Sequence, residues 1–264
     1  MMLTFDFGAR RASCDLSLGH RLAIDASDGE HPLFFVDQPI TRQSLTAGGF
    51  VGDTRRGGSC NVEVLTMIPH CHGTHTEGPG HLWDDQPAAF QLMPASPLPA
   101  MLVSMAPRTG TDATETRLGE GPLIESDQID WPDGCRALIL RTLPNDPAKQ
   151  AFDYASRPPY PLLSLEAMQR IANGSIEHLL IDTPSLDAAD DGGRLALHRL
   201  FWGRASDASR PADDRLSCTV TELIYVPDAV ADGPGLLMLG GLAIPGDATP
   251  SMPVFFPGQL EPAK

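Results

Sequence analysis

The sequence predicts an α+β fold that is rich in β-strands and contains few helices. Three observations support this: many short apolar runs with β-branched residues, two segments with helical spacing, and no regular alternation of strands and helices. The 25 glycines and 25 prolines are spread along the chain and divide it into short segments. We expect a single domain over residues 1–264.

Short strands and loops are expected in the first half of the chain. We predict strands at Leu22–Asp25 and Leu33–Val36, and a third from Asn61 to Ile68 that leads directly into a histidine-rich run. Residues 84–132 are rich in Pro, Asp, Gly and Thr, which predicts a long surface excursion in which Leu102–Met105 could form a strand.

The second half contains both predicted helices. Ser164 can cap the first, whose apolar face is Leu165, Met168 and Ile171 and whose end is Asn173-Gly174. A second short helix is predicted over Leu195–Trp202. Strands are predicted at Ala137–Arg141, His178–Asp182, Thr219–Val226 and Leu236–Leu239.

The composition argues against several classes of partner. A formal net charge of −15 would repel nucleic acid and anionic membrane surfaces. The chain has no apolar run long enough to span a membrane and no signal-peptide pattern at its start, so a cytoplasmic location is expected. The five cysteines are irregularly spaced and do not predict a disulfide framework.

One run of twelve residues, 70–81, concentrates groups that bind metals. It holds four of the eight histidines of the chain together with one cysteine and one glutamate: His70, Cys71, His72, His75, Glu77 and His81. Imidazole, thiolate and carboxylate groups that converge on one point suit a divalent cation such as zinc. In an extended segment, Cys71, His75, Glu77 and His81 would share one face and His70 and His72 the other. The alternative is a histidine-rich surface loop.

The run also resembles the signature of the cyclase family of metal-dependent hydrolases, which includes bacterial kynurenine formamidases and isatin hydrolases. The family pattern is His-x-Gly-Thr-His-x-Asp-x-Pro-x-His, and it is matched in register by Gly73, Thr74, His75, Pro79 and His81. The resemblance implies that His75 is a metal ligand. It implies that His81 lies beside the metal as a ligand or, as we favour, as the catalytic general acid/base.

Two positions depart from the family pattern. Cys71 stands where the first liganding histidine is usual, and Glu77 stands where aspartate is usual. Both are chemically reasonable replacements, so we assign Cys71 and Glu77 to the metal. His70 or His72 could replace Cys71 after a small shift, and Cys71 could instead be structural.

Later segments extend the resemblance. The segments around His198 and Glu222 resemble those that carry the remaining ligands, so the resemblance implies that both complete a two-metal site. Asp182–Asp187 resembles a segment that could shape the pocket or form a simple turn. Residues 204–215 look like an insertion near the pocket mouth, and residues 242–250 resemble the closing segment of the family.

The resemblance is best from about Asn61 to about Phe256, and residues 1–60 match weakly. It implies a swivelling β/β/α domain assembled as a homodimer.

The expected activity follows from this site. One or two divalent ions, zinc in the first place and manganese as the alternative, would activate water to hydrolyse an amide or formamide bond of a small carbonyl substrate. An arylformamidase of tryptophan catabolism is the leading example. The alternatives are hydrolysis of a cyclic amide, lactone or ester, and a non-catalytic binding protein with a drifted site. Trp83, Phe201 and Trp202 could form an aromatic wall for an aryl substrate, or could belong to the core.

Overall fold

The computed structural model describes residues 1–26, 30–109, 118 and 121–261. Its α-helices are α1 (Ala89–Leu92), α2 (Leu165–Asn173) and α3 (Ala196–Gly203). Its first ten strands are β1 (Met2–Phe7), β2 (Arg10–Asp15), β3 (His20–Arg21), β4 (Leu33–Phe34), β5 (Thr41–Ser44), β6 (Thr46–Ala47), β7 (Phe50–Val51), β8 (Glu63–Thr66), β9 (His75–Glu77) and β10 (Leu98–Met105). The others are β11 (Leu123–Ile124), β12 (Ala137–Thr142), β13 (Asp153–Tyr154), β14 (Leu162–Leu163), β15 (His178–Ile181), β16 (Thr219–Glu222), β17 (Gly233–Met238), β18 (Ala248–Pro250) and β19 (Val254–Leu260).

A large mixed sheet organises the fold. Its strand order is β1-β2-β19-β17-β10-β12-β15-β16-β9-β18, with β3 paired beside β19. The central strands β10, β12, β15 and β16 run parallel to one another. Every residue of β12 is buried, as is usual for a parallel strand that is covered on both faces.

The two faces of the sheet are covered differently. Leu138 and Leu140 of β12 belong to the same apolar cluster as Met168 of α2 and Phe201 of α3. Ile139, on the other face, packs in a separate cluster that consists of residues from strands and loops. Helices α2 and α3 therefore cover one face of the sheet, and His198 of α3 lies on the same side as the Glu77 side chain of β9.

Strand β9 lies between β16 and β18 and is antiparallel to both. In this register His75 is opposite Glu222, and Glu77 is opposite Val220 on one side and Ala248 on the other. His75 and Glu77 are two residues apart, so their side chains lie on the same face of the sheet. This pairing brings together residues that are far apart in the sequence.

The α+β prediction is confirmed. The elements predicted most accurately are those whose signals lie close together in the sequence. Helix α2 begins after Ser164, whose hydroxyl accepts a hydrogen bond from the Ala167 amide, and it ends at Gly174. The predicted strand at Leu22–Asp25 is wrong: β3 lies at His20–Arg21, and Ala23 makes only an isolated bridge to Ile224.

Other strands differ in length or place from the sequence prediction. The predicted strand at Asn61–Ile68 exists as β8, but it pairs with β5 outside the main sheet. Strands β1, β2 and β19 were not predicted. No helix in the described part of the chain is long and apolar enough to cross a membrane. The single-domain organisation stays a prediction.

Candidate metal centre

Two short helical turns and β9 place the histidine-rich run. A 3-10 turn at Pro69–Cys71 precedes β9, and a second at Pro79–His81 follows it. Both begin with proline, whose fixed φ suits the first position of a helical turn. Gly73, at φ 138°, lies between the first turn and β9 in a conformation that favours glycine. The chain therefore bends on both sides of β9 and returns toward its side chains.

The centre of the site consists of two carboxylates and two imidazoles that are almost fully excluded from solvent: His75, Glu77, His198 and Glu222. His198 Nε2 lies 2.8 Å from Glu77 Oε1 and 3.4 Å from Glu222 Oε1. His75 Nε2 lies 3.4 Å from Glu222 Oε2. Helix α3 thus brings His198 to the pair of carboxylates held by β9 and β16.

Two further histidines lie on the more open side of Glu77. His70 Nδ1 is 3.2 Å and His81 Nδ1 is 3.6 Å from Glu77 Oε2. On their outer side is Asp247, whose Oδ2 lies 2.9 Å from His70 Nε2 and 3.2 Å from His81 Nδ1. Asp247 is in turn anchored through its backbone, because its carbonyl accepts a hydrogen bond from the Gly78 amide at 3.0 Å.

Three of the histidines share one arrangement. Each directs one ring nitrogen at the central carboxylates, and the other nitrogen faces an oxygen. That oxygen is the Gly73 carbonyl for His75 at 3.0 Å, an Asp187 carboxylate oxygen for His198 at 2.6 Å and Asp247 Oδ2 for His70. Such an outer oxygen fixes the tautomer and orientation of a metal-binding histidine.

The charges of the site are strongly coupled. Burial alone would raise the pKa of Glu77, but the neighbouring charges of His81 and His198 hold it well below its ordinary value. Burial and the charge of Glu77 would raise the pKa of Glu222, yet its contacts with the His198 and His75 rings lower it. Burial disfavours a charged His70, but Asp247 and Glu77 raise its pKa to about 10. Both central carboxylates are therefore ionised at neutral pH.

The donor set fits a divalent cation. Among the described residues, four buried ligand atoms here contact other groups of the site but make no hydrogen bond of regular geometry: His75 Nε2, His198 Nε2 and both carboxylate oxygens of Glu77. Leaving such groups unsatisfied costs about 1–3 kcal/mol each, and more when they are charged. The described residues contain two sets of three ligand atoms, and within each set the atoms lie within 4.8 Å of one another. One set comes from His70, Glu77 and His81, and the other from His75, Glu77 and Glu222. Imidazole and carboxylate donors at this spacing suit zinc or manganese.

The structure brings together most of the residues that the sequence indicates as ligands, but Cys71 does not join them. His75, Glu77, His81, His198 and Glu222 all converge. Cys71 is buried outside the two sets of ligand atoms found among the described residues, and His70 is in one of them. Side chains two residues apart share a face only in an extended chain, whereas residues 69–71 form a 3-10 turn.

His72 has a structural role in this arrangement. Its Nδ1 accepts a hydrogen bond from the Ile68 amide at 2.9 Å, and its Nε2 lies 2.8 Å from the Gln38 carbonyl. Both ring nitrogens are therefore engaged by backbone groups. Of the two alternatives to Cys71 that the sequence left open, only His70 has a nitrogen directed at the carboxylates.

Sequence reasoning did not assign Asp187 and Asp247 to the site. Asp187 ends the segment Asp182–Asp187, in which the Leu186 amide also donates to Glu222 Oε1 at 2.7 Å. That segment therefore does more than form a turn: its backbone holds Glu222, and the Asp187 side chain holds His198. Asp247 lies in the closing segment, where its position beside Gly246 gave no sign that it would contact two histidines.

The three aromatic candidates divide into two environments. Phe201 and Trp202 are fully buried in the core, although the Trp202 ring stacks on His198 with centroids 5.7 Å apart. Trp83 is half-buried, and the Arg199 guanidinium lies 5.8 Å from the centre of its ring. Of the three, only Trp83 is placed to contribute to an accessible wall.

Comparison with known proteins identifies the family of this chain. The sequence model of the family described as "Putative cyclase" matches residues 15–188, which is more than half of the chain. The chain belongs to the cyclase family. A kynurenine formamidase of Bacillus cereus is 25% identical over 210 residues, a match that covers 76% of this chain and 91% of the relative. A second from Bacillus mycoides has the same identity and coverage.

Solved structures of cyclase-family relatives share the fold. A predicted metal-dependent hydrolase from Bacillus stearothermophilus superposes with a TM-score of 0.59 at 17% identity, covering 90% of this chain and 97% of that one. Isatin hydrolase A from Ralstonia solanacearum superposes with a TM-score of 0.58 at 16% identity, covering 90% of each chain. The strand-rich α+β fold of this chain is therefore that of the cyclase family.

Proposed function

We propose that the chain is a metal-dependent hydrolase of an amide or formamide carbon–nitrogen bond in a small molecule. The observation that carries the proposal is the group of four buried ligand atoms on His75, Glu77 and His198, which contact other groups of the site but make no hydrogen bond of regular geometry. Ionised carboxylates and imidazoles that lack regular hydrogen bonds in a dry site are costly unless a cation binds them. The similarity to kynurenine formamidases supports the carbon–nitrogen bond as the target.

Five residues would hold the metal: His70, His75, Glu77, His198 and Glu222. Glu77 belongs to both sets of converging ligand atoms, so it would contribute to the site with either one or two ions. His70 takes the place that the sequence assigned to Cys71. When bound, a zinc or manganese ion would lower the pKa of a bound water molecule toward ~7 and polarise the substrate carbonyl.

His81 is the residue best placed to move a proton. About 24% of its side chain is exposed, whereas the central four residues are almost fully buried. Asp247 lies 3.2 Å from its Nδ1 and can orient the ring, so that the opposite nitrogen is free to face the substrate. We assign His81 as the general acid that protonates the leaving nitrogen, and Asp247 as the residue that positions it.

The proposal is tested by metal content and hydrolysis measured on the same preparations. Protein purified without chelator should contain one or two equivalents of zinc or manganese. His75→Ala should lose them, while His20→Ala, on β3, should retain them. Hydrolysis of an aryl formamide should then be compared with that of a cyclic amide, a lactone and an ester.

The outcomes separate the proposal from its alternatives. Turnover of the formamide above the other substrates, abolished with the metal, would support the proposal. A preference for the cyclic amide, lactone or ester would favour the broader hydrolase. A wild-type chain that takes up neither zinc nor manganese would contradict metal-dependent hydrolysis and favour a binding protein with a drifted site.

A further inference from the structure

The pairing of β15 with β16 contains one extra residue at the point where β16 brings Glu222 to the metal centre. The two strands run parallel, and at the start of the pair the Thr219 amide donates to the Glu177 carbonyl. At its end the Ile224 amide donates to the Ile181 carbonyl, so the β16 side advances by five residues while the β15 side advances by four. Such a bulge is rare between parallel strands, and bulges next to active sites re-aim side chains.

The extra residue is Leu223. Its φ of 52° lies in the left-handed region, which side chains other than glycine rarely adopt. Val220 and Leu223 belong to the apolar cluster on the helix-covered face, whereas Ile224 belongs to the cluster on the other face. Regular alternation would instead put Val220, Glu222 and Ile224 on one face. The conformation of Leu223 therefore sets the direction in which the chain leaves Glu222, and the surrounding structure must hold this conformation.

The side chain of Thr74 holds the bulge. Its hydroxyl donates to the Leu223 carbonyl and accepts a hydrogen bond from the Ile24 amide at 2.9 Å. The Thr74 backbone is fixed as well, because its carbonyl accepts from the Ser251 amide at 3.1 Å. The Leu223 amide donates to the Thr183 carbonyl at 3.0 Å, so both backbone groups of Leu223 are engaged. Thr74 is buried, and its hydroxyl is therefore not readily replaced by water.

This hydrogen bond connects the neighbours of two candidate ligands. Thr74 directly precedes His75, and Leu223 directly follows Glu222. His75 and Glu222 lie opposite each other in the register of β9 and β16, with His75 Nε2 3.4 Å from Glu222 Oε2. We propose that Thr74 is a positioning residue that fixes Glu222 relative to His75 by holding Leu223 in the left-handed conformation. The inference rests on the proposed metal site, to which both candidate ligands belong.

Zinc affinity of two Thr74 variants tests this role, with circular dichroism as a check on folding. Thr74→Val keeps the shape of the side chain but lacks the hydroxyl, and it should raise the Kd for zinc about 10-fold, as loss of an outer partner does. Thr74→Ser retains the hydroxyl and should stay within about threefold of the wild type. The matched control Thr219→Val removes a buried hydroxyl that lies 2.8 Å from His178 Nδ1, and it should also stay within about threefold.

Crystal structures of the metal-free variants test the geometry without a metal. In Thr74→Val, Leu223 should leave the left-handed region and Glu222 Oε2 should lie farther than 3.4 Å from His75 Nε2. Thr74→Ser and Thr219→Val should retain both features.

Several outcomes would overturn the proposal. They are a Thr74→Val structure that keeps both features, a Thr74→Val variant that binds zinc as tightly as the wild type, and an equal loss of zinc in Thr74→Ser or Thr219→Val. A wild-type chain that binds no zinc would contradict the proposed hydrolase instead, and the metal-free structures would still decide the role of Thr74.

Discussion

Replacing His70 and Cys71 one at a time decides which of these neighbours is a metal ligand. His70 Nδ1 is 3.2 Å from Glu77 Oε2, and its other nitrogen is held by Asp247, so His70→Ala should remove a ligand that is already oriented. Removing an outer partner of a ligand typically weakens a metal site 10- to 100-fold. Loss of the ligand itself should therefore weaken binding at least ~100-fold, or about 2.7 kcal/mol.

Cys71→Ala should have a much smaller effect. Cys71 is buried, and burial raises the pKa of its thiol, as expected for a small apolar side chain. Its side chain also lies outside the sets of converging ligand atoms found among the described residues. We expect the zinc affinity of this variant to stay within about threefold of the wild type, in the range of an unrelated substitution.

Zinc affinity is measured by competition with a chromophoric chelator on metal-free protein, with circular dichroism as a check on folding. Loss of zinc by Cys71→Ala together with its retention by His70→Ala would contradict the assignment of His70 as a ligand. That result would mean that the turn at residues 69–71 rearranges when metal binds.

Three other predictions concern positioning and stability. Asp247→Asn should lower kcat and zinc affinity about 10-fold or more. Asp84→Asn should change neither, although Asp84 and Asp247 line the same cleft. Burial lowers the pKa of His178 to about 4, so between pH 6.5 and pH 4 the unfolded chain binds a proton that the folded chain does not. As the pH falls over this range, the free energy of unfolding measured in urea should decrease by about 3 kcal/mol more for the wild type than for His178→Asn. Ser164→Ala should cost about 1 kcal/mol in the same assay through loss of the cap on α2.

The extent to which the sequence predicts the fold depends on how local each interaction is. Helix α2 is predicted with its cap and its end because the spacing of its apolar residues and its capping groups lie within about ten residues. Strands β2 and β19 pair Cys14 with Gly258, and no pattern within either segment indicates that partner. Strand β8 is predicted from the β-branched residues of Asn61–Ile68, but residue type alone does not distinguish a strand of the main sheet from one in a small separate sheet.

The ligand residues are also predictable only where the local backbone conformation can be predicted. Alternation correctly groups His75 with Glu77 because both lie in β9, where side chains two residues apart share a face. It fails at Cys71 because Pro69 begins a 3-10 turn there, and the turn directs His70 at Glu77 instead. The proline was the local signal that the extended rule should stop at residue 68. Cys71 stands at the position where the family pattern has its first histidine. His70, one residue earlier, can supply the imidazole in its place. The cysteine is then free to be a buried apolar side chain, which is how the structure places it.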